Sequence, residues 1–208
     1  MIYNGKSIRN IIFDLGGVLL NIDYNLCVEA FRKLGLNDFE SLYSKAKQST
    51  LFDDFEKGSL SAADFRDTMR KFLKPGITDE QIDRAWNAML LDFPEERGDL
   101  LLRLKNDHRL FLLSNTNEIH IKEVSAILKR SFGVPDLSRV FEKEYFSHRV
   151  KLRKPHREIF KFVLNENNLE ADETLFIDDS RQHIEGAMQT GLHVFHLVKG
   201  KNILEVFT

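Results

Sequence analysis

The chain has 208 residues, 42% of them hydrophobic and 30% charged, with a formal net charge of −2 at pH 7. That much apolar side chain supports one sizeable domain with its own core and excludes a disordered chain. Acidic and basic residues are interspersed, which leaves no basic face for nucleic acid, and a single cysteine, Cys27, excludes an intrachain disulfide or a cysteine-based zinc site.

The opening stretch MIYNGKSIRN lacks the long apolar segment and small-residue cleavage site of a signal peptide. No apolar run approaches the ~20 residues that a membrane helix needs, so the expected location is the cytoplasm, with no membrane partner. Ile11 to Phe13 form an apolar run that ends at Asp14 and is followed by Gly16 and Gly17. A continuous apolar run closed by glycine reads as a strand buried on both faces. From Asp23 to Leu91 the pattern is helical. Cys27, Ala30, Phe31 and Leu34 make one stripe ended by Gly35, Cys27 being a small core residue within it. Ser61 with Asp64, and Thr78 with Gln81, have the spacing of helix N-terminal caps. Pro94 suits the opening of a further helix that carries Leu101 and Leu104. Strand-like runs then recur at Leu110 to Leu113, Leu175 to Ile177 and Val194 to Leu197. Between them lie helical faces formed by Ile121, Val124 and Leu128, by Ile159, Phe160 and Val163, and by the segment from Arg181 to its stop at Gly191. This alternation predicts an α/β fold with a doubly wound parallel sheet. The predicted core is residues 1–22 with 93–208, and residues 23–92 form an α-helical insertion after the first strand.

Ligands of open parallel sheets bind beyond the carboxyl ends of the strands. The residues predicted there are Asp14, Ser114 with Asn115, and Asp178 with Asp179, and Lys154 follows in RKPHREIF just ahead of a helix. Carboxylates from different strands that meet at one edge repel each other unless a cation or proton lies between them. Oxygen ligands of this kind suit Mg2+, which takes one or two carboxylates together with phosphate oxygens and waters. Asp14 and Asp178 would hold the ion, and Gly16 would leave its backbone carbonyl free to approach it. Ser114, Asn115 and Lys154 would surround the oxygens of a phosphoryl group, and an aspartate can be the nucleophile in its transfer.

With its motifs in order, IIFDLGGVLL, FLLSNTN, KLRKP and LFIDDSRQHIEGA, the chain resembles the haloacid dehalogenase superfamily of phosphohydrolases over nearly its whole length. The insertion resembles that superfamily's small α-helical cap. DLGGVLLNID, LLSNTNEIH and FEKGSLSAADF are similar to the branch containing bacterial α-glucose-1-phosphate phosphatases. The resemblance implies Asp14 as nucleophile and metal ligand, Asp178 as second metal ligand and Asp179 as a support for metal or lysine. It also implies Ser114 and Lys154 as phosphoryl-binding groups. The implied ligand is a small phosphorylated metabolite, and Phe52 and Glu56 in the cap are candidates for contacting it.

One position departs from the pattern. Most phosphatases of the superfamily carry an aspartate two residues after the nucleophile, which protonates the leaving group and later activates water. Here that residue is Gly16. Three readings follow: an ester with a good leaving group, such as an anomeric sugar phosphate; a proton supplied by another residue, with His120 and Asp23 as candidates; or a module that binds a phosphorylated ligand without turnover. Metal-independent 2-haloacid dehalogenases also lack that aspartate, but typically lack the acidic pair that this chain has at Asp178 and Asp179. His183 reads as a helix-face position outside the site.

Overall fold

The computed structural model describes residues 1–3, 5–36 and 51–207; residues 37–50 of the expected insertion lie outside the described residues. A short antiparallel hairpin, β1 (Ile2–Tyr3) with β2 (Lys6–Ser7), precedes β3 (Asn10–Phe13). The remaining strands are β4 (Arg109–Ser114), β5 (Lys143–Phe146), β6 (Thr174–Asp178) and β7 (His193–His196). They form a five-stranded, wholly parallel sheet in the order β5-β4-β3-β6-β7.

Both faces of this sheet are buried, and the pleat sorts the side chains between them. Ile11, Phe13, Leu110, Leu112, Leu175 and Ile177 face one apolar layer, whereas Ile12, Phe111, Leu113 and Phe176 face the other. Helices α5 (Glu95–Leu104) and α6 (Glu118–Phe132) cover the first face through Leu100, Leu101, Val124, Ile127 and Leu128. Helices α8 (Arg157–Glu166) and α9 (Arg181–Met188) cover the second through Ile159, Phe160, Val163, Ile184 and Ala187. The doubly wound arrangement follows from strands that are apolar on both sides and so need helices above and below.

Between β3 and α5 lie α1 (Tyr24–Lys33), α2 (Leu51–Glu56), α3 (Ala62–Arg70) and α4 (Asp79–Asn87). Ser61 caps α3, and Thr78 with Gln81 makes a full capping box on α4, as their spacing predicts. Cys27, Phe31, Phe55, Phe65, Met69, Ile82 and Trp86 form an apolar cluster of their own, joined from the sheet side by Ile119. The spacing at Pro94 is also met, since Pro94 is the N-cap of α5.

Two elements differ from the sequence reading. The opening segment, given no element in that reading, makes the β1–β2 hairpin ahead of β3, and Ile2 is exposed on it. The edge strand β5 reads KEYF, and only Tyr145 and Phe146 are buried. An edge strand with two charges in four residues carries no continuous apolar signal.

Candidate active site

The sheet register decides which residues meet. Phe13 pairs with Leu112 on one side and Ile177 on the other. One step further along each strand, Asp14 lies between Leu113 and Asp178, and the Asp14 N–H donates to the Ile177 carbonyl at 2.9 Å. Ser114, the last residue of β4, lies at the same edge and is 4% exposed. Its hydroxyl is 3.5 Å from the Asn115 carbonyl, too long to hold it in one orientation.

Lys154 reaches this edge from the loop before α8 and is fully buried there. Its Nζ donates to Asp14 Oδ1 at 2.7 Å, to Asp178 Oδ2 at 2.6 Å and to the Leu113 carbonyl at 2.8 Å, which uses all three ammonium protons. Burial works against the lysine's charge, but the two carboxylates hold its pKa above the ordinary value. Burial pushes Asp14 up from its usual range despite the pull of Lys154, and Asp178 repels it further. Asp178 is also buried, yet Lys154 and His183 together hold its pKa down.

The chain around Lys154 is pinned from three sides. The Asn115 side-chain amide donates to the Lys154 carbonyl at 2.8 Å, and its oxygen accepts from the Lys154 N–H at 2.9 Å. Asn115 therefore orients the lysine's backbone at both ends. Ser147, buried at the start of the short helix α7 (Ser147–Val150), exchanges hydrogen bonds with the Thr116 backbone at 2.9 and 3.0 Å. From below, Gly186 in α9 packs so closely that a Cβ there would lie 2.2 Å from the Pro155 carbonyl oxygen. Only glycine lets the helix come this near.

Asp14, Asp178 and Asp179 each offer an oxygen within 4.8 Å of the others, and this is the acidic group among the described residues with the spacing to hold a metal. Three carboxylates share one ammonium, so the edge carries excess negative charge that a divalent cation would neutralise. Hard oxygen donors in this number fit Mg2+. Gly17, at φ +78°, leaves room for Asp179, whose Oδ2 would lie 2.2 Å from a Cβ at that position. Gly16 differs, because a Cβ there meets Ile22 at an ordinary 3.5 Å. Its missing side chain is not forced by crowding.

His183 is a correction to the sequence reading. Its Nδ1 lies 3.0 Å from both oxygens of Asp178, so the ring belongs to the site and not to a free helix face. A carboxylate only accepts, so Nδ1 carries the proton, and burial keeps the imidazole below its ordinary pKa. The sequence signal was its place in the first turn of the helix that follows Asp178. The two candidate proton donors are occupied elsewhere. His120 lies within α6, its Nδ1 against the Asn117 amide at 3.2 Å and its Nε2 against the Trp86 carbonyl at 3.2 Å. Burial depresses its pKa to about 4. Asp23 is the N-cap of α1, accepting from Asn25 N–H at 3.0 Å. In the helical insertion, Phe52 stacks on Trp86 with ring centroids 5.5 Å apart, and Glu56 lies against Arg153 at 2.8 Å.

A parallel sheet with an aspartate at the end of its central strand, a buried lysine beside it and an acidic pair on the next strand defines a hydrolase of the haloacid dehalogenase type. The chain matches the haloacid dehalogenase-like hydrolase family over residues 8–191 and belongs to it. It is similar to D-ribitol-5-phosphate phosphatase of Bacteroides thetaiotaomicron, 33% identical over 193 residues, covering 93% of each chain. It is also similar to a phosphorylated carbohydrates phosphatase of Thermotoga maritima, 26% identical, covering 94% of this chain and 89% of that one. Among solved structures, a HAD family enzyme of Bacteroides thetaiotaomicron in complex with magnesium and inorganic phosphate superposes with a TM-score of 0.89 at 37% identity. That likeness covers 97% of this chain and all of the other.

Proposed function

We propose that this protein is a magnesium-dependent phosphatase of small phosphorylated carbohydrates, with Asp14 as its nucleophile. The observation that carries the reading is the buried Lys154 ammonium bridging Asp14 and Asp178, with Asp179 bringing the carboxylates to three, two more than that one cation balances. The likeness to phosphatases of ribitol phosphate and of phosphorylated carbohydrates, and to a structure holding magnesium and phosphate, supports the same class.

In this reading Asp14, Asp178, Asp179 and the Gly16 carbonyl hold Mg2+, which supplies charge neutralisation between an anionic nucleophile and an anionic ester. Ser114 and Lys154 bind the phosphoryl oxygens, and Asn115 holds Lys154 in place. The Asp14 carboxylate attacks phosphorus; an Oδ–P bond forms as the bond from phosphorus to the leaving oxygen breaks. The departing alkoxide takes a proton from water, because Gly16 offers none. A second water then cleaves the aspartyl-phosphate, releasing inorganic phosphate and restoring the Asp14 carboxylate. Residues 23–92 act as a cap over residues 1–22 and 93–208, excluding bulk water during attack.

Two classes of carbohydrate ester fit. The likeness to the ribitol phosphate enzyme favours an alditol phosphate. The absent carboxylate at Gly16 favours an anomeric sugar 1-phosphate, whose leaving group needs less protonation, as in the α-glucose-1-phosphate phosphatases that the motifs resemble. The test is phosphate release by the Asp14→Asn variant on the best ester of a sugar and alditol phosphate panel. Turnover falls at least about 10⁴-fold with the fold intact, as loss of a nucleophile does. Turnover within tenfold of the unsubstituted protein contradicts the assignment.

A further inference from the structure

Charges of both signs alternate along most of the chain, but not between Glu144 and Glu158. That stretch carries Arg149, Lys151, Arg153, Lys154 and Arg157 and no acidic residue, in a protein whose formal net charge is −2. Two of these cations are already committed. Lys154 is buried against Asp14 and Asp178, and Arg153 is paired with Asp53 and Glu56 on α2. Arg149, Lys151 and Arg157 are exposed, and none of them forms an ion pair among the described residues. The acid ahead of the stretch, Glu144, is turned to the Leu137 N–H at 3.1 Å.

Sheet register and chain length place these three charges beside the strand edge. Phe146, the last residue of β5, pairs with Ser114, and the Arg149 guanidinium carbon lies 4.8 Å from the centre of the Phe146 ring. Lys151 and Arg157 each stand three residues from Lys154, whose Nζ is bonded to Asp14. Three residues span at most about 11 Å even when fully extended. The Lys151 ammonium donates to the Gly58 carbonyl at 2.6 Å, in the turn after α2, so it lies where the loop meets the insertion. Salt at 0.1 M screens charges over roughly 10 Å, so the field of this rim still reaches an anion arriving at the edge.

The reactants give that field a use. A phosphate monoester near neutral pH is largely a dianion. It approaches a protein of negative net charge whose strand edge holds three carboxylates. A rim of one sign beside a site raises the local concentration of an oppositely charged ligand and its rate of encounter. Resting on the phosphatase reading, we propose that Arg149, Lys151 and Arg157 steer dianionic phosphate esters to the strand edge and favour them over esters of lower charge. They act through their field alone, touching neither phosphorus nor alcohol, so the chemical step is the same without them.

The test is kcat/KM for the best ester of the sugar and alditol phosphate panel at ionic strengths from about 25 mM to about 250 mM, with magnesium saturating. The unsubstituted protein is compared with Arg149→Gln/Arg157→Gln and with Arg149→Lys/Arg157→Lys. At low salt the Gln pair should lose about fivefold in kcat/KM, and the loss should fade at high salt while kcat holds. The Lys pair keeps both charges and should match the unsubstituted protein. A loss of equal size at both salt concentrations would overturn the proposal, as would an equal loss in the Lys pair, because either marks a contact or a packing role. No loss in the Gln pair, or an unsubstituted protein indifferent to salt, overturns it as well. Absence of phosphate release from every ester of the panel is a different result, and it removes the phosphatase reading itself.

Discussion

Two charged clusters occupy adjacent residues of one loop, and they are built in opposite ways. Lys154 is fully enclosed and spends each of its protons on a fixed acceptor at 2.6–2.8 Å. Arg153 reaches from the loop to a helix of the insertion, where it forms ion pairs with Asp53 and Glu56. The first arrangement holds its charge in place before a phosphoryl group arrives, as electrostatic stabilisation of a transition state requires, and Lys154 can contact that group only by releasing one of its three acceptors. The second ties the Lys154 loop to α2 through partly exposed ion pairs. A buried charge at the strand edge and a tie between loop and insertion are thus separated by one peptide unit.

The comparison breaks most visibly at Lys154. Lys154→Met leaves Asp14 and Asp178 buried without their cation, and losing one partner of a buried ion pair costs about 3–5 kcal/mol. Urea unfolding in the presence of chelator should show that loss, together with loss of phosphate release. A stability change of less than about 1 kcal/mol would mean that the lysine is not the structural counter-charge.

Gly186 tests how firmly the loop must be held. Gly186→Ala drives a Cβ into the Pro155 carbonyl oxygen, so α9 or the Lys154 loop must shift. Overpacking of this kind costs about 1–3 kcal/mol, and displacement of the lysine lowers kcat roughly 10–100-fold. Gly16→Ala is the stability control, since its Cβ meets only Ile22 at 3.5 Å. Its unfolding free energy should change by no more than about 0.5 kcal/mol.

A smaller, pH-dependent effect belongs to the boundary between insertion and sheet. His120 is neutral in the folded protein, its pKa lowered by burial to about 4 from 6.5. The unfolded chain therefore binds more protons between those values, and stability is lost as the pH falls from 6.5 toward 4. The contribution reaches up to about 3 kcal/mol at the acid end of that window. In His120→Gln the difference in unfolding free energy from the unsubstituted protein should shrink as the pH falls across this window. A constant difference would show that His120 titrates alike in both states.

The site was legible in the sequence where chemistry sits at the end of an apolar strand. Ile11–Phe13, Leu110–Leu113 and Leu175–Ile177 announce their strands because both faces are buried, and that places Asp14, Ser114 and Asp178 at one edge. β5 was missed because KEYF at a sheet edge has neither an apolar run nor alternation. His183 was missed because its contact depends on the phase of α9 relative to Asp178, which a residue count does not give. Glu56 was named as a ligand contact, but its partner Arg153 was not. The pair joins segments about a hundred residues apart in the chain, and their meeting follows from how α2 packs on the loop rather than from any local pattern.

The most direct test of the account is phosphate release from a panel of sugar and alditol phosphates, with magnesium and with excess chelator. The account predicts release that stops with chelator and returns when magnesium is restored. Release indifferent to chelator, or no release from any ester while halide is freed from 2-haloacids, would contradict it.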